Sequence, residues 1–181
     1  SAEIYDYEIP GGQYSNLKPQ VESFGLGHKF GEVKTMYRDV NKMLGDMVKV
    51  TPSSKAVGDM AIFMVQNDLT PENIMERGHE IDFPDSIVAF FEGMMGQPEG
   101  GFPEELQKLV LKDKKPITCR PADLIAPQLP EFEKQVAKWK EQDEDVLTYA
   151  LFPKVAEEFF EYRAAQKTKV DMSKADKELF S

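Results

Sequence analysis

Prolines at the starts of apolar segments constrain this chain more than any other feature. A proline ring fixes φ and lacks an N–H, which costs nothing in the first turn of a helix but disrupts a helix interior or a central strand. Six prolines fit this position, and most of them are followed by apolar residues at steps of three and four: Pro52, Pro71, Pro84, Pro103, Pro130 and Pro153. This pattern predicts a protein built from many helices.

Apolar spacing supports an all-α fold. One stripe has steps of three and four, and we expect its helix to end near Gly45: Phe30, Val33, Tyr37, Val40 and Leu44. A second, very apolar helix after Pro84 is expected to stop at Gly93. Towards the C-terminus, Val155, Phe159 and Tyr162 indicate the apolar face of another helix. The alternation that is typical of strands is confined to the short segment 47–50.

Turn signals divide the chain into three predicted parts. The glycine pairs Gly11-Gly12 and Gly100-Gly101 lack the preceding strand and following lysine of a phosphate-binding loop, so they are predicted as turns. The proline-bounded stretch 116–130 is the best candidate for a seam. We therefore predict a main helical body over residues 1–125, a C-terminal helical extension over 126–166 and a weakly ordered tail over 167–181.

Charge and cysteine content exclude several classes of function. The chain has 22 Lys and Arg against 32 Asp and Glu, and a net charge of −10 disfavours binding to nucleic acid or to an anionic membrane surface. The single cysteine, Cys119, excludes an internal disulfide framework and suits a reducing compartment, so the expected location is cytoplasmic. No initiator Met is present, and we expect a segment of a longer protein.

One segment combines three hydroxyls and a lysine at the start of a predicted helix, namely Thr51-Pro52-Ser53-Ser54-Lys55. Because a helix N-terminus offers unpaired N–H groups and a partial positive charge, such a cluster predicts a site for a carbonyl, carboxylate or ureido oxygen. The two histidines, His28 and His79, stand apart from each other and from Cys119. No metal site built within this chain is therefore expected.

A structural interpretation of the same segment stays open, because threonine is a favoured N-cap. The chain contains its own comparison in Thr70-Pro71-Glu72, where an acid in the first turn suits the helix dipole. The Thr51 segment instead carries Lys55 and no acid there, which disfavours the helix and calls for another explanation.

Five ordered motifs resemble the conserved carboxylase region of pyruvate carboxylases. They extend from about Glu3 to about Pro121, and the resemblance continues more loosely to Tyr162. The motifs are Glu8-Ile9-Pro10-Gly11-Gly12-Gln13-Tyr14-Ser15-Asn16-Leu17, Gly45-Asp46-Met47-Val48-Lys49-Val50-Thr51-Pro52-Ser53-Ser54-Lys55, Val57-Gly58-Asp59-Met60-Ala61, Met64-Val65-Gln66-Asn67 and Gly100-Gly101-Phe102-Pro103.

This resemblance implies a fold and a set of partners. In the family, the region follows a TIM barrel, absent from this chain, and forms a helical funnel over its active-site mouth. Biotin on a carrier module is carboxylated with ATP in another domain and brings the carboxyl group to this site, where pyruvate becomes oxaloacetate for anaplerosis and gluconeogenesis. A divalent metal belongs to the barrel. The implied partners are the barrel, the biotin carrier, pyruvate and oxaloacetate, and a homo-oligomer is expected. The resemblance also implies that the isolated chain is inactive, because the barrel is absent from it.

The resemblance also implies roles for three residues. Thr51 matches the threonine that shuttles a proton between the methyl group of pyruvate and the ureido nitrogen of biotin, and Ser54 and Lys55 match positions that contact the ureido ring. A neutral hydroxyl suits the proton transfer, because a strong base beside carboxylated biotin would promote wasteful decarboxylation. The contact with biotin would also explain the lysine in the first turn.

Two alternatives remain at this point. The α subunit of biotin-dependent oxaloacetate decarboxylase shares the barrel and the threonine motif, but Ser53, Lys55 and the stretch 64–67 favour pyruvate carboxylase. The other alternative is a non-catalytic helical scaffold, in which Thr51 is only an N-cap.

Overall fold

Helices make up the regular structure of residues 2–168, the part of the chain that the computed structural model describes. These residues contain no β-strand, so the all-α prediction is confirmed. Three short 3-10 helices cover Gly27–Lys29, Gly78–Glu80 and Pro121–Leu124. Residues 2–168 also contain ten α-helices: α1 Glu3–Tyr7, α2 Gly11–Ser23, α3 Phe30–Met43, α4 Ser53–Gln66, α5 Ile74–Arg77, α6 Asp85–Glu92, α7 Glu104–Leu111, α8 Leu129–Val136, α9 Glu144–Leu151 and α10 Pro153–Thr168.

The chain divides into two compact units, one ending at Leu124 and the other beginning at Ile125. The sequence analysis expected a seam within the stretch 116–130 and a boundary between residues 125 and 126. The predicted tail, 167–181, lies outside the described residues from position 169 onwards. Across residues 2–168, every helix is too short or too polar to span a lipid bilayer.

Helix α4 forms the centre of the first unit. Ten of its fourteen residues are buried, and it packs against α2, α3 and α6. Small residues permit this close packing: a Cβ atom on Gly58 would lie 3.3 Å from Leu17 Cδ1 and 2.8 Å from Gln13 Nε2. The predicted apolar stripe of α3 is buried, with Val33, Tyr37 and Val40 fully inaccessible to solvent, and α3 packs on α4.

The predicted turn at Gly11-Gly12 is wrong, because α2 begins at Gly11 and continues through Pro19 to Ser23. Burial explains why the helix forms despite poor helix formers, since Leu17 and Val21 are both fully buried in the core. Other boundaries agree with the sequence: α3 ends before Gly45, and Gly93 caps α6 with a φ of 86°.

The second unit contains α8, α9 and α10 around a small core. Val136, Val146, Ala156 and Phe160 are buried, with Phe132, Trp139 and Tyr149 packed against them. The apolar face predicted for α10 is wrong, because its buried residues are Ala156 and Phe160, whereas Val155, Phe159 and Tyr162 are exposed. Both faces of this helix are apolar in part, so periodicity alone could not identify the inner one.

An ion pair between Asp145 and Arg163 connects the helices of this unit. Asp145 is 2% exposed and accepts hydrogen bonds from Arg163 Nη1 at 2.9 Å and Nη2 at 2.8 Å. It also accepts the backbone N–H groups of Glu141, at 2.8 Å, and Gln142, at 3.3 Å. The hydrogen bonds from Arg163, followed by those from the backbone, hold the pKa of Asp145 well below its usual range.

We predict that Gly78→Ala destabilises the first unit by about 1–3 kcal/mol through overpacking. The new Cβ would lie 2.7 Å from Leu109 Cδ2 and 3.1 Å from Phe83 Cζ, and both side chains are buried in the core. Gly31→Ala is the matched control, because Gly31 lies in α3 with nothing within 4 Å of the new Cβ. Urea unfolding followed by circular dichroism should show a lower midpoint for the first variant only.

We predict that Asp145→Asn destabilises the second unit by roughly 3 kcal/mol, because it removes the buried carboxylate charge that is bonded to Arg163 and leaves only the more exposed Glu141 as an anionic partner. In the unaltered chain, the lowered pKa makes the stabilisation complete above the pKa of the unfolded carboxyl group, about 3.9. The stabilisation is lost as the pH falls through the lower pKa of the folded state. Trp139 is the single tryptophan, so its fluorescence during unfolding reports on this unit.

The control for this prediction is Glu131→Gln, which breaks an exposed ion pair with Lys134 in the same unit. Its effect on the unfolding midpoint should be much smaller, because exposed pairs contribute little to stability. Equal effects of the two substitutions would contradict the stabilising role of the ion pair between Asp145 and Arg163. The same would follow if Asp145→Asn lost stability at low pH as steeply as the unaltered chain.

Candidate functional site

The segment that contains Thr51 lies where an irregular loop, residues 45–52, enters α4. Thr51 is exposed on the last part of this loop, and its peptide bond to Pro52 is cis. Ser54 and Lys55 lie in the first turn of α4, Ser54 buried and Lys55 exposed. Core packing of α4 therefore determines the positions of Ser54 and Lys55, and Thr51 lies on the loop that leads into this helix.

Ser53 holds the loop against the start of α4. Its hydroxyl lies 2.8 Å from the carbonyl of Val48 and 2.7 Å from that of Val50, so its single proton can be donated to either oxygen. The same hydroxyl accepts the N–H of Val50 at 3.2 Å. Ser53 thus binds the loop backbone, and its hydroxyl is engaged within the chain.

Further polar contacts connect the loop to α3 and to the residue that follows α1. Asn41 Nδ2 donates to Glu8 Oε2 and to Asp46 Oδ1, both at 3.3 Å. Lys49 Nζ also lies 3.3 Å from Glu8 Oε2. The buried Tyr37 hydroxyl donates to the carbonyl of Ser54 at 3.3 Å, and burial raises the pKa of Tyr37, which keeps the hydroxyl protonated. These bonds give the loop a defined conformation.

Thr51 does not cap α4. The capping position is occupied by Pro52, and within residues 2–168 the Thr51 hydroxyl has no hydrogen-bond partner. Thr70 behaves differently, because its hydroxyl accepts the N–H of Asn73 at 3.3 Å while Asn73 Oδ1 accepts the N–H of Thr70 at 2.8 Å. The two Thr-Pro sequences therefore differ, one threonine being bonded within its turn and the other available to a ligand.

The expected supply of unpaired backbone donors at this helix start is only partly present. The N–H of Ser54 donates to Val50 at 2.9 Å, and the N–H of Lys55 donates to Pro52 at 3.1 Å. Any ligand at this position would therefore depend mainly on side chains, above all on the Thr51 hydroxyl and the Lys55 ammonium.

Lys55 is held by a residue that the sequence analysis did not select. Its ammonium lies 2.6 Å from Asp59 Oδ2, and its side chain is 64% exposed whereas that of Asp59 is 13% exposed. Asp59 also accepts hydrogen bonds from Ser86 Oγ at 2.8 Å and from Gln20 Nε2 at 2.9 Å. The spacing of four residues could have suggested the pair, but no local pattern indicates the contributions of α2 and α6.

A cleft of about 530 Å³ lies beside this region. Its lining comprises residues 45–48, Val50 and Ser53 together with Phe90 and residues 95–100. Neither Thr51 nor Lys55 is part of its lining. Val50 and Val48 are 60% and 78% exposed, so the loop presents apolar side chains next to the exposed hydroxyl of Thr51.

The other candidate groups of the sequence stand alone. His28, His79 and Cys119 are all exposed. Among residues 2–168, His, Cys, Asp and Glu side chains form no group of three or more that could hold a metal ion.

Comparison with known proteins identifies the family of this chain. The family described as the conserved carboxylase domain matches residues 4–180. Pyruvate carboxylase of Bacillus subtilis is 53% identical over 184 residues, which cover 98% of this chain and 16% of that protein. Human mitochondrial pyruvate carboxylase is 45% identical over 168 residues, or 91% of this chain and 14% of that protein. The chain thus spans less than one fifth of the length of these relatives.

Solved structures of the carboxyl transferase domain of Rhizobium etli pyruvate carboxylase share this fold. One has a TM-score of 0.82 and 43% identity, covering 88% of this chain and 28% of that chain. Another, solved with pyruvate and biocytin, has a TM-score of 0.82 and 41% identity, covering 96% of this chain and 29% of that chain. The chain therefore belongs to the conserved carboxylase domain family and corresponds to part of the carboxyltransferase domain of pyruvate carboxylase.

Proposed function

We propose that this chain forms part of a biotin-dependent carboxyltransferase site that converts pyruvate to oxaloacetate. In this reaction biotin supplies the carboxyl group that pyruvate accepts. The metal ion, the ATP-dependent step and the biotin carrier belong to parts of the longer protein outside this chain. Support comes from relatives named pyruvate carboxylase and from the similar domain solved with pyruvate and biocytin.

One observation carries the proposal, namely that the exposed Thr51 hydroxyl has no hydrogen-bond partner within residues 2–168, although the loop around it is held by several hydrogen bonds. A hydroxyl in this state can accept a proton on its oxygen and release its own, so it can move a proton between two bound groups. We propose that Thr51 performs this transfer between the methyl group of pyruvate and the ureido nitrogen of biotin. Being neutral, it would not act as a strong base towards the carboxyl group in transit.

Ser54 and Lys55 are proposed to bind the ureido ring. The Lys55 ammonium has three N–H groups, of which one suffices for Asp59, so the exposed end can still donate to a carbonyl oxygen. Such donation stabilises negative charge that develops on the oxygen. Ser54 is 7% exposed and its hydroxyl is not bonded within residues 2–168, which leaves it able to donate at the same helix start.

Pyruvate carboxylase is preferred over the decarboxylase α subunit because the relatives described above carry that name. The scaffold alternative loses its main structural support, since Thr51 does not cap α4. We further propose a homo-oligomeric enzyme in a reducing compartment such as the cytoplasm. The free, exposed Cys119 supports a reducing compartment, although several relatives are named mitochondrial.

We predict that Thr51→Ala in the intact enzyme lowers oxaloacetate decarboxylation stimulated by free biotin by about 100-fold or more, because proton transfer is lost. ATP-dependent biotin carboxylation should be unchanged, since it takes place in another domain. Thr51→Ser, which retains a hydroxyl, should keep part of the activity. Both half-reactions can be measured on the same preparation.

Thr70→Ala is the matched control for this substitution, because it removes a threonine hydroxyl that does bond within its turn. It should cost about 1 kcal/mol of stability and leave the turnover number unchanged. Full activity of Thr51→Ala or of Thr51→Asn would instead favour the scaffold hypothesis.

A further inference from the structure

Asp59 receives donors from three helices. Lys55 Nζ in α4 and Ser86 Oγ in α6 lie 2.6 Å and 2.8 Å from Oδ2, and Gln20 Nε2 in α2 lies 2.9 Å from Oδ1. Because both oxygens are bonded to separate helices, the carboxylate cannot rotate without breaking a bond. Its orientation is therefore determined by the packing of α2 and α6 on α4.

Helix stability does not explain the pair of Lys55 and Asp59. A cation in the first turn opposes the helix dipole. The order of the pair is also the less favourable one, because pairs spaced by four residues stabilise a helix more when the acid precedes the base. The lysine side chain is 64% exposed, so the attraction is screened by solvent. An exposed ammonium in this place thus calls for a role other than stabilising α4.

Orientation of the ammonium is such a role. A free lysine side chain samples many rotamers, and fixing it on a ligand costs conformational entropy. Contact with a carboxylate that is itself held by Gln20 and Ser86 restricts the ammonium before a ligand arrives. Preorganisation of this kind improves binding without a new contact to the ligand.

We propose that Asp59 is a positioning residue that holds the Lys55 ammonium ready for the ureido oxygen of biotin. The inference rests on the proposed function, because it takes Lys55 as a biotin contact. Asp59 acts through Lys55 and does not itself touch the ligand. Its carboxylate is 13% exposed and already engaged by three donors, which agrees with an indirect role.

The test measures oxaloacetate decarboxylation stimulated by free biotin in the intact enzyme that contains this chain. We expect Asp59→Asn to raise the KM for biotin about five- to tenfold with a smaller change in the turnover number, since mainly binding is lost. The KM for oxaloacetate and the rate of ATP-dependent biotin carboxylation should stay the same. Glu104→Gln is the matched control, because it breaks another pair spaced by four residues, with Lys108, and should leave every parameter unchanged.

A double-mutant cycle separates positioning from a general structural effect. If Asp59 acts through Lys55, Asp59→Asn should raise the KM for biotin in the unaltered enzyme but not in the Lys55→Gln background. An equal increase in both backgrounds would overturn the positioning role. Ser86→Ala should raise the KM in the same direction by a smaller factor, and it replaces Asp59→Asn in the cycle if that variant fails to fold.

The two proposals fail in different ways. An unchanged KM for biotin in Lys55→Gln would overturn the assignment of Lys55 as a biotin contact, and the role of Asp59 with it. A raised KM in Lys55→Gln together with an unchanged KM in Asp59→Asn would overturn only the positioning role. Loss of carboxyl transfer in Thr51→Ala is measured separately, and its result tests the role of Thr51 independently of Asp59 and Lys55.

Discussion

Burial of α4 is the constraint on which the first unit depends. Ten of its fourteen residues are buried, so α2, α3 and α6 all have to pack around one helix. That packing needs a residue without a side chain at Gly58, where Leu17 and Gln13 approach closely. A helix fixed on several sides holds its first turn in one place. The chain therefore presents Thr51 and Lys55 at a position that the core defines.

Around the start of α4, some polar side chains are hydrogen-bonded within the chain and others are available to a ligand. Ser53 donates a hydrogen bond to the loop backbone, and Asn41 donates one to the side chain of Asp46 in the loop. The Tyr37 hydroxyl donates to the carbonyl of Ser54 in the first turn of α4. Thr51 is left without a partner among the described residues. A rigid surround costs little when a ligand binds, because the loop has already lost its conformational freedom. This arrangement suits a hydroxyl that must meet two reactants in one geometry.

Sequence alone predicts the elements whose signals are local. The stripe of α3 and the glycine that ends α6 follow from spacing and from a positive φ that glycine tolerates. Prediction from the sequence fails at Gly11-Gly12, where burial of Leu17 and Val21 outweighs weak helix propensity. It fails again at α10, because apolar residues occupy both faces and only tertiary packing selects the inner one. For the site, the motif indicates Thr51, Ser54 and Lys55, but Gln20 and Ser86 approach Asp59 only in three dimensions.

The carboxylate that contacts Lys55 is bonded at both of its oxygens. Asp59 lies in the first two turns of α4, 2.6 Å from the ammonium of Lys55. Three donors occupy its oxygens, and its side chain is largely withdrawn from solvent. The role proposed for its charge is to orient Lys55, whereas the proposed proton transfer belongs to the neutral hydroxyl of Thr51. Separating these two tasks allows the Lys55 cation in α4 and the Thr51 hydroxyl in the preceding loop, four residues apart in the sequence, to act on one ligand in different ways.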